Sequence, residues 1–181
     1  MSWSQISSFY YNVEDWHSKY ILNIKDETVT PELEFGKIFA KSCEDRKPLA
    51  PVTLYSVNEF ELKAKFDGIQ MIGYLDTYEP LKAFIDHKTG KKEWTHKRAS
   101  EHGQLKMYAL MLYLLYKVKP EDLSIGLEWI PTKKEDNKIS FIEPITVHHF
   151  DVKITMQDIL LFGNYIQSTV KKMERYAQAM S

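Results

Sequence analysis

"IGYLDTYEPLKAFIDHKTG", Ile72 to Gly90, is the stretch on which the fold turns. It reads as two apolar strands joined by a short turn at Pro80 and Leu81. Asp76 closes the first strand, Asp86 lies inside the second, and Lys88 follows. If the strands pair antiparallel about a turn centred near Leu81, positions 76 and 86 are symmetric about that centre. They then sit opposite each other on one face. Opposed Cβ atoms lie about 4.5–5.5 Å apart, where like charges repel. A divalent cation between them removes the repulsion, and oxygen ligands suit Mg²⁺ or Mn²⁺. The strand period of two places Lys88 on the face of Asp86, with Ile85 and His87 on the other. Two carboxylates and an ammonium at one point are what metal-assisted phosphodiester hydrolysis requires. The same spacing also fits a surface hairpin with solvated charges and a cross-strand ion pair.

Outward from this pair, "FELKAKFDGIQMIGYLD" alternates and turns at Asp67-Gly68, a hairpin signal. Upstream, Ser2 or Ser4 caps a short helix, and a second follows from Glu14 to Tyr20. Pro31 opens a third helix, with Leu33, Ile38 and Phe39 as apolar points. Downstream, a long helix is expected from about Arg98 to Val118, closed by Pro120. "LSIGLEWI" and "KISFIEPITVHHF" read as two strands around a polar turn, and a last helix spans about Met156 to Ala177. The expected architecture is one α/β domain over residues 1–181, a central mixed β-sheet flanked by helices.

The bulk numbers bound the function. The 181 residues carry a net charge of −1, so any grip on nucleic acid must come from a local basic patch. The single cysteine, Cys43, excludes a disulfide framework, a four-cysteine zinc site and an all-cysteine iron–sulfur cluster within one chain. No signal peptide is read at the N-terminus. The longest apolar run, Met107 to Tyr116, is about half of what a membrane span needs. The expected setting is soluble and intracellular, with no membrane partner.

The motifs "GYLD" (Gly73–Asp76), "IDHKTGK" (Ile85–Lys91) and "QLKMY" (Gln104–Tyr108) resemble, in this order, those of the PD-(D/E)XK nuclease superfamily. The RecB-type branch, with GxxD, DxK followed by Thr-Gly, and QxxxY, is the nearest match, and "SWSQISSFYYN" resembles its N-terminal SxS helix. The resemblance implies a restriction-endonuclease-like core and a Mg²⁺- or Mn²⁺-dependent nuclease acting on DNA. It implies that Asp76, Asp86 and the backbone carbonyl of His87 bind the metal, and that Lys88 is catalytic. It places Gln104 and Tyr108, which share one helix face, beside the active site; Tyr108 also fits a plain core aromatic. Phage-borne relatives imply a phage-encoded role in replication or recombination. Exonuclease action is favoured, because no further domain for sequence readout is present.

One position departs from the pattern. The branch carries a metal-binding histidine in a helix ahead of the strands, as GxxxHxxxE, but here Gly36 is followed by Ala40 and Glu44. Glu44 is the expected substitute, one turn from Ala40 on the same face, with Glu34 as runner-up and a solvated helix end as the alternative. The lone cysteine separates the chain from the iron–sulfur members. The densest basic run, "KTGKKEWTHKR", sets Lys91, Lys92, Lys97 and Arg98 beside the acidic pair, with Trp94 available to stack on a base. It fits DNA binding or a solvated loop. His87 is expected to turn its ring away from the acidic pair. A cleavage-deficient nucleic-acid-binding protein on the same fold and a module with no nucleic-acid role are the competing readings.

Overall fold

The computed structural model describes residues 1–24 and 29–180. Three helices lead: α1 (Trp3–Tyr11), α2 (Val13–Tyr20) and α3 (Pro31–Glu44). Strands β1 (Val57–Phe66), β2 (Ile69–Glu79) and β3 (Ala83–Gly90) follow, then α4 (His96–Ser100) and α5 (Gly103–Tyr116). The chain closes with β4 (Ser124–Glu135), β5 (Lys138–Phe141), β6 (His148–Asp151) and α6 (Met156–Ala179). The helix starts follow capping chemistry. Ser2 forms a capping box with Gln5, Asn12 caps α2, Thr30 caps α3, and Thr155 forms a box with Asp158.

The six strands form one mixed sheet in the order β1-β2-β3-β4-β5, with β6 beside β4. Among the described strands only β3 and β4 run parallel, linked through α4 and α5. The β1–β2 hairpin turns at Asp67-Gly68, both with positive φ, as a two-residue turn of this hand demands. The β2–β3 turn passes through Pro80 and Leu81, with Leu81 at φ 59°. Helices α1, α2, α5 and α6 and one sheet face form the main core, where Leu75, Phe84, Met107, Leu127 and Ile159 are buried. On the other face Phe39 and Cys43 of α3 pack with Val52 and Ile130 in a smaller cluster. Among the described residues no helix is long and apolar enough to cross a membrane.

Two expectations change. The long helix is two: α4 ends at Ser100 and α5 starts at Gly103, where the Trp3 ring lies against the backbone and leaves no room for a Cβ. The strand expected over "KISFIEPITVHHF" is split into β5 and β6, which share the outer edge of β4. Pro144 lies between them and has no N–H to give a ladder.

A comparable close approach fixes α5 on the hairpin. A Cβ on Gly73 would stand 2.5 Å from the Tyr108 ring. Replacing Gly73 with alanine should destabilise the fold by about 1–3 kcal/mol, the usual cost of overpacking. Urea unfolding of Gly73→Ala against the parent measures it, and an unchanged midpoint would show that Tyr108 yields freely.

Candidate active site

Asp76 stands where the sheet opens. The β2–β3 register pairs Thr77 with Ile85, so the next pair in step is Asp76 with Asp86, and the ladder stops one pair short of it. The same happens on the other side. Asn58 pairs with Thr77 and Phe60 with Leu75, while Glu59, in step with Asp76, is skipped. Strand β2 is thus unpaired on both flanks at Asp76. Its carboxylate instead accepts the His87 N–H at 2.6 Å. A residue's N–H and C=O leave the same edge of a strand. The His87 carbonyl therefore faces the same opening.

Asp86 is 1% exposed, and neither of its oxygens receives a hydrogen bond. Lys88 Nζ lies 2.7 Å from Asp86 Oδ2, a close ionic contact off the hydrogen-bonding direction. The ammonium donates instead to Gln104 Oε1 at 2.8 Å, and Gln104 Nε2 donates to the Tyr108 hydroxyl at 2.7 Å. Tyr108 is buried against Gly73 and edge-on to Phe84. It is a core aromatic and also the anchor of a chain that ends on Lys88. The structure therefore gathers Asp76, Asp86, Lys88, Gln104 and Tyr108, with His87 supplying backbone groups.

A cavity of about 210 Å³ opens beside this group, lined by Gly36 and Ala40 of α3, Glu59 of β1, and Asp76, His87 and Lys88. Glu44 and Glu34 do not line it. Glu44 is exposed and paired with Lys41 at 3.0 Å, and it faces an adjoining hollow whose wall shares Ala40 and Glu59 with the cavity. Glu34 is exposed on the far side of α3, beside Phe35 and Ile38. Glu44, the expected stand-in for the absent histidine, is not on the wall of the cavity: α3 turns Phe39 and Cys43 inward, which brings Ala40 to the cavity and leaves Glu44 in the adjoining hollow. The carboxylate that shares the cavity with Asp76 is Glu59. Its place opposite Asp76 follows from symmetry about the Asp67-Gly68 turn, the signal that could have found it.

The basic loop is corrected in part. Lys91, Lys92 and Lys97 are exposed. Trp94 is only 9% exposed, and the Arg98 guanidinium lies 3.9 Å above its ring. Arg98 also donates to the carbonyls of Lys92 and Glu93. Arg98 covers one face of Trp94 and His102 meets it edge-on, so little of the ring is open for a base.

Behind the site lies a second polar group that the sequence did not announce. Glu128, 3% exposed within the apolar strand β4, accepts from Thr53 N–H at 2.9 Å and Thr53 Oγ1 at 2.7 Å. His87 Nε2 lies 3.4 Å from Glu128 and 3.1 Å from the Thr53 carbonyl. His149 bridges Glu128 and Asp151. The His87 ring does point away from the acidic pair, into this network.

The electrostatics follow the burial. Desolvation, then repulsion from Asp86, pushes the Asp76 carboxyl up to about 7, although Lys88 and His87 oppose the rise. For Lys88, burial works against the charge, but Asp86 and Asp76 outweigh it and raise the ammonium above its ordinary value. Burial also opposes a charged His87, yet contacts with Cys43 and Glu128 carry it up to about 10. Burial would raise Glu128, but hydrogen bonds from His87 and Thr53 bring it down to about 2. Among the described residues no three His, Cys, Asp or Glu side chains already form a ready cation cage. Asp86 is turned to Lys88 and Asp76 to the His87 N–H, so binding a cation requires these carboxylates to turn. The unsatisfied, buried oxygens of Asp86 are hard anionic donors that fit Mg²⁺ or Mn²⁺.

A carboxyl raised from 3.8 to about 7 lends stability that is complete below 3.8 and lost as pH rises through about 7. His87, raised from 6.5 to about 10, acts in the same direction at higher pH. The metal-free protein should melt lower at about pH 8 than at about pH 5.5, and Asp76→Asn should flatten the fall. A melting temperature that climbs over this range, or an Asp76→Asn profile parallel to the parent, would contradict the assignment.

No family model matches the chain, and no curated protein does. The fold is similar to the crystal structure of a protein from Eubacterium rectale bearing the name "Putative exonuclease", with a TM-score of 0.67 at 12% identity. The match covers 100% of this chain and 82% of that one. At that identity the likeness shows a shared fold, a mixed sheet between helices.

Proposed function

We propose that this chain is a Mg²⁺- or Mn²⁺-dependent DNA nuclease of the PD-(D/E)XK, RecB-like type, acting as an exonuclease on phosphodiester bonds. The observation that carries the reading is the opening of the sheet at Asp76, opposite the buried, unsatisfied Asp86, with Lys88 2.7 Å from it. Asp76, Asp86 and the His87 carbonyl would hold the cation. The bound cation supplies Lewis acidity toward a phosphoryl oxygen and acidifies a neighbouring water. Lys88, kept charged by the two aspartates, offers a positive donor where negative charge builds on the phosphate. Gln104 and Tyr108 hold that ammonium in place, because the hydroxyl end of their chain is fixed in the core. The likeness to an exonuclease-named fold agrees with this reading.

The second reading, a cleavage-deficient DNA-binding protein, is favoured by Ala40 at the histidine position and by Glu44 lying outside the cavity. Incubation with linear and circular DNA, single- and double-stranded, in Mg²⁺, Mn²⁺ or EDTA separates the two. The nuclease reading expects metal-dependent loss of linear DNA. Asp86→Asn should lower the rate by about 10²–10³-fold or more. Lys88→Ala should lose cleavage while Mn²⁺ still binds, because lysine is not a ligand. Asp86→Asn cutting at the parental rate would remove the site from consideration.

The exposed lysines past β3 supply the DNA grip. Each lysine–phosphate contact adds about 0.9 to the slope of log affinity against log salt on duplex. Changing Lys91, Lys92 and Lys97 together to alanine should flatten that slope by about two to three units, measured on the Asp86→Asn background. An unchanged slope would show that DNA enters from another side.

A further inference from the structure

We infer that Glu59 is the third side-chain carboxylate of the cation site, taking from β1 the place that α3 leaves empty at Ala40. This rests on the reading of Asp76 and Asp86 as metal ligands and names a residue that reading does not include.

Three observations support it. The first is position: Glu59 is in step with Asp76 in the β1–β2 register, is skipped by the ladder, and lines the same cavity as Asp76, His87 and Ala40. The second is backbone strain. Glu59 has φ 50° within a strand, a region that a residue with a long side chain rarely enters. Such a conformation persists when the surroundings impose it, and outliers of this kind cluster at working sites. The third is the charge around the cavity. Asp86 is buried with neither oxygen hydrogen-bonded and only the Lys88 ammonium beside it, while burial, then repulsion from Glu44, raises Glu59 above its ordinary value against an opposing pull from His87. Glu59 and Asp76 are two carboxylates on the wall of one cavity, an arrangement that a cation between them stabilises. Hard oxygen donors from three strand positions, with the His87 carbonyl, make a ligand set for Mg²⁺ or Mn²⁺. No helix residue is then needed.

Calorimetric titration of the whole chain with Mn²⁺ alone, without DNA, tests this, alongside melting temperatures with and without Mn²⁺. Glu59→Gln should weaken Mn²⁺ binding by about ten- to a hundredfold. It should also raise the melting temperature of the metal-free protein and shrink the rise that Mn²⁺ produces. Glu44→Gln should weaken Mn²⁺ binding far less than Glu59→Gln, because Glu44 is exposed, paired with Lys41 and absent from the cavity that holds Asp76. Glu59→Asn is the second variant, since asparagine enters the left-handed region more easily and remains folded there. If both Glu59 variants bind Mn²⁺ as the parent does, or lower the metal-free melting temperature with the Mn²⁺-induced rise intact, Glu59 is only structural and the inference is overturned. In that case parental DNA cleavage still supports the nuclease reading. A parent that binds no Mn²⁺ and cuts no DNA overturns both.

Discussion

Two like charges on neighbouring strands repel, the more strongly where burial takes water from between them. Asp76 and Asp86 occupy that relation, and the structure around them is arranged to live with it. The ladders on both sides of Asp76 open. Lys88 closes on Asp86, and the His87 N–H turns to Asp76. What these contacts leave over is met by a proton near neutral pH, since Asp76 is pushed up to about 7. In the proposed nuclease, proton and cation would be alternative answers to one repulsion and would compete for one carboxylate.

The main core makes this tolerable. Lys88 holds its direction because Gln104 holds it, and Gln104 because Tyr108 is wedged over Gly73. The glycine of "GYLD" is therefore spent on an aromatic ring that lies 35 residues later in the chain, from Gly73 to Tyr108. On the other face, Glu128 balances a charged His87, so that His87 can present its backbone to the opening while its ring is tied down. Breaking such a buried pair by removing one partner costs about 3–5 kcal/mol, which gives Glu128 a structural reason to be there.

The β-sheet was legible because turns announce registers. Asp67-Gly68 and Pro80-Leu81 each fix a centre, and counting outward from them sets Asp76 against Asp86. Lys88 follows from the period of two. Helix rotation was not legible. Leu33, Ile38 and Phe39 all read as apolar points on α3, yet Leu33 and Ile38 are exposed and only Phe39 is buried. A turn of that helix about its axis decided whether Glu44 met the cavity. The loop past β3 was hidden for a similar reason. Whether Trp94 faces solvent depends on Arg98 and His102, which reach it from α4 and the start of α5. The break between those helices depends on Trp3, a contact set by packing between distant parts of the chain.

The sheet also has an outer boundary at β1, which has β2 on one side and, among the described residues, no strand on the other. Along it run Glu59, Glu61, Lys63 and Lys65, separated by apolar residues that face the core or its margin. An uncovered strand of bare apolar character invites a second molecule to add its own strand. Alternating acids and lysines make such an addition costly, because each incoming backbone would have to strip water from charges. The same row that carries Glu59 toward the cavity thus keeps the hairpin from growing into a larger β-assembly.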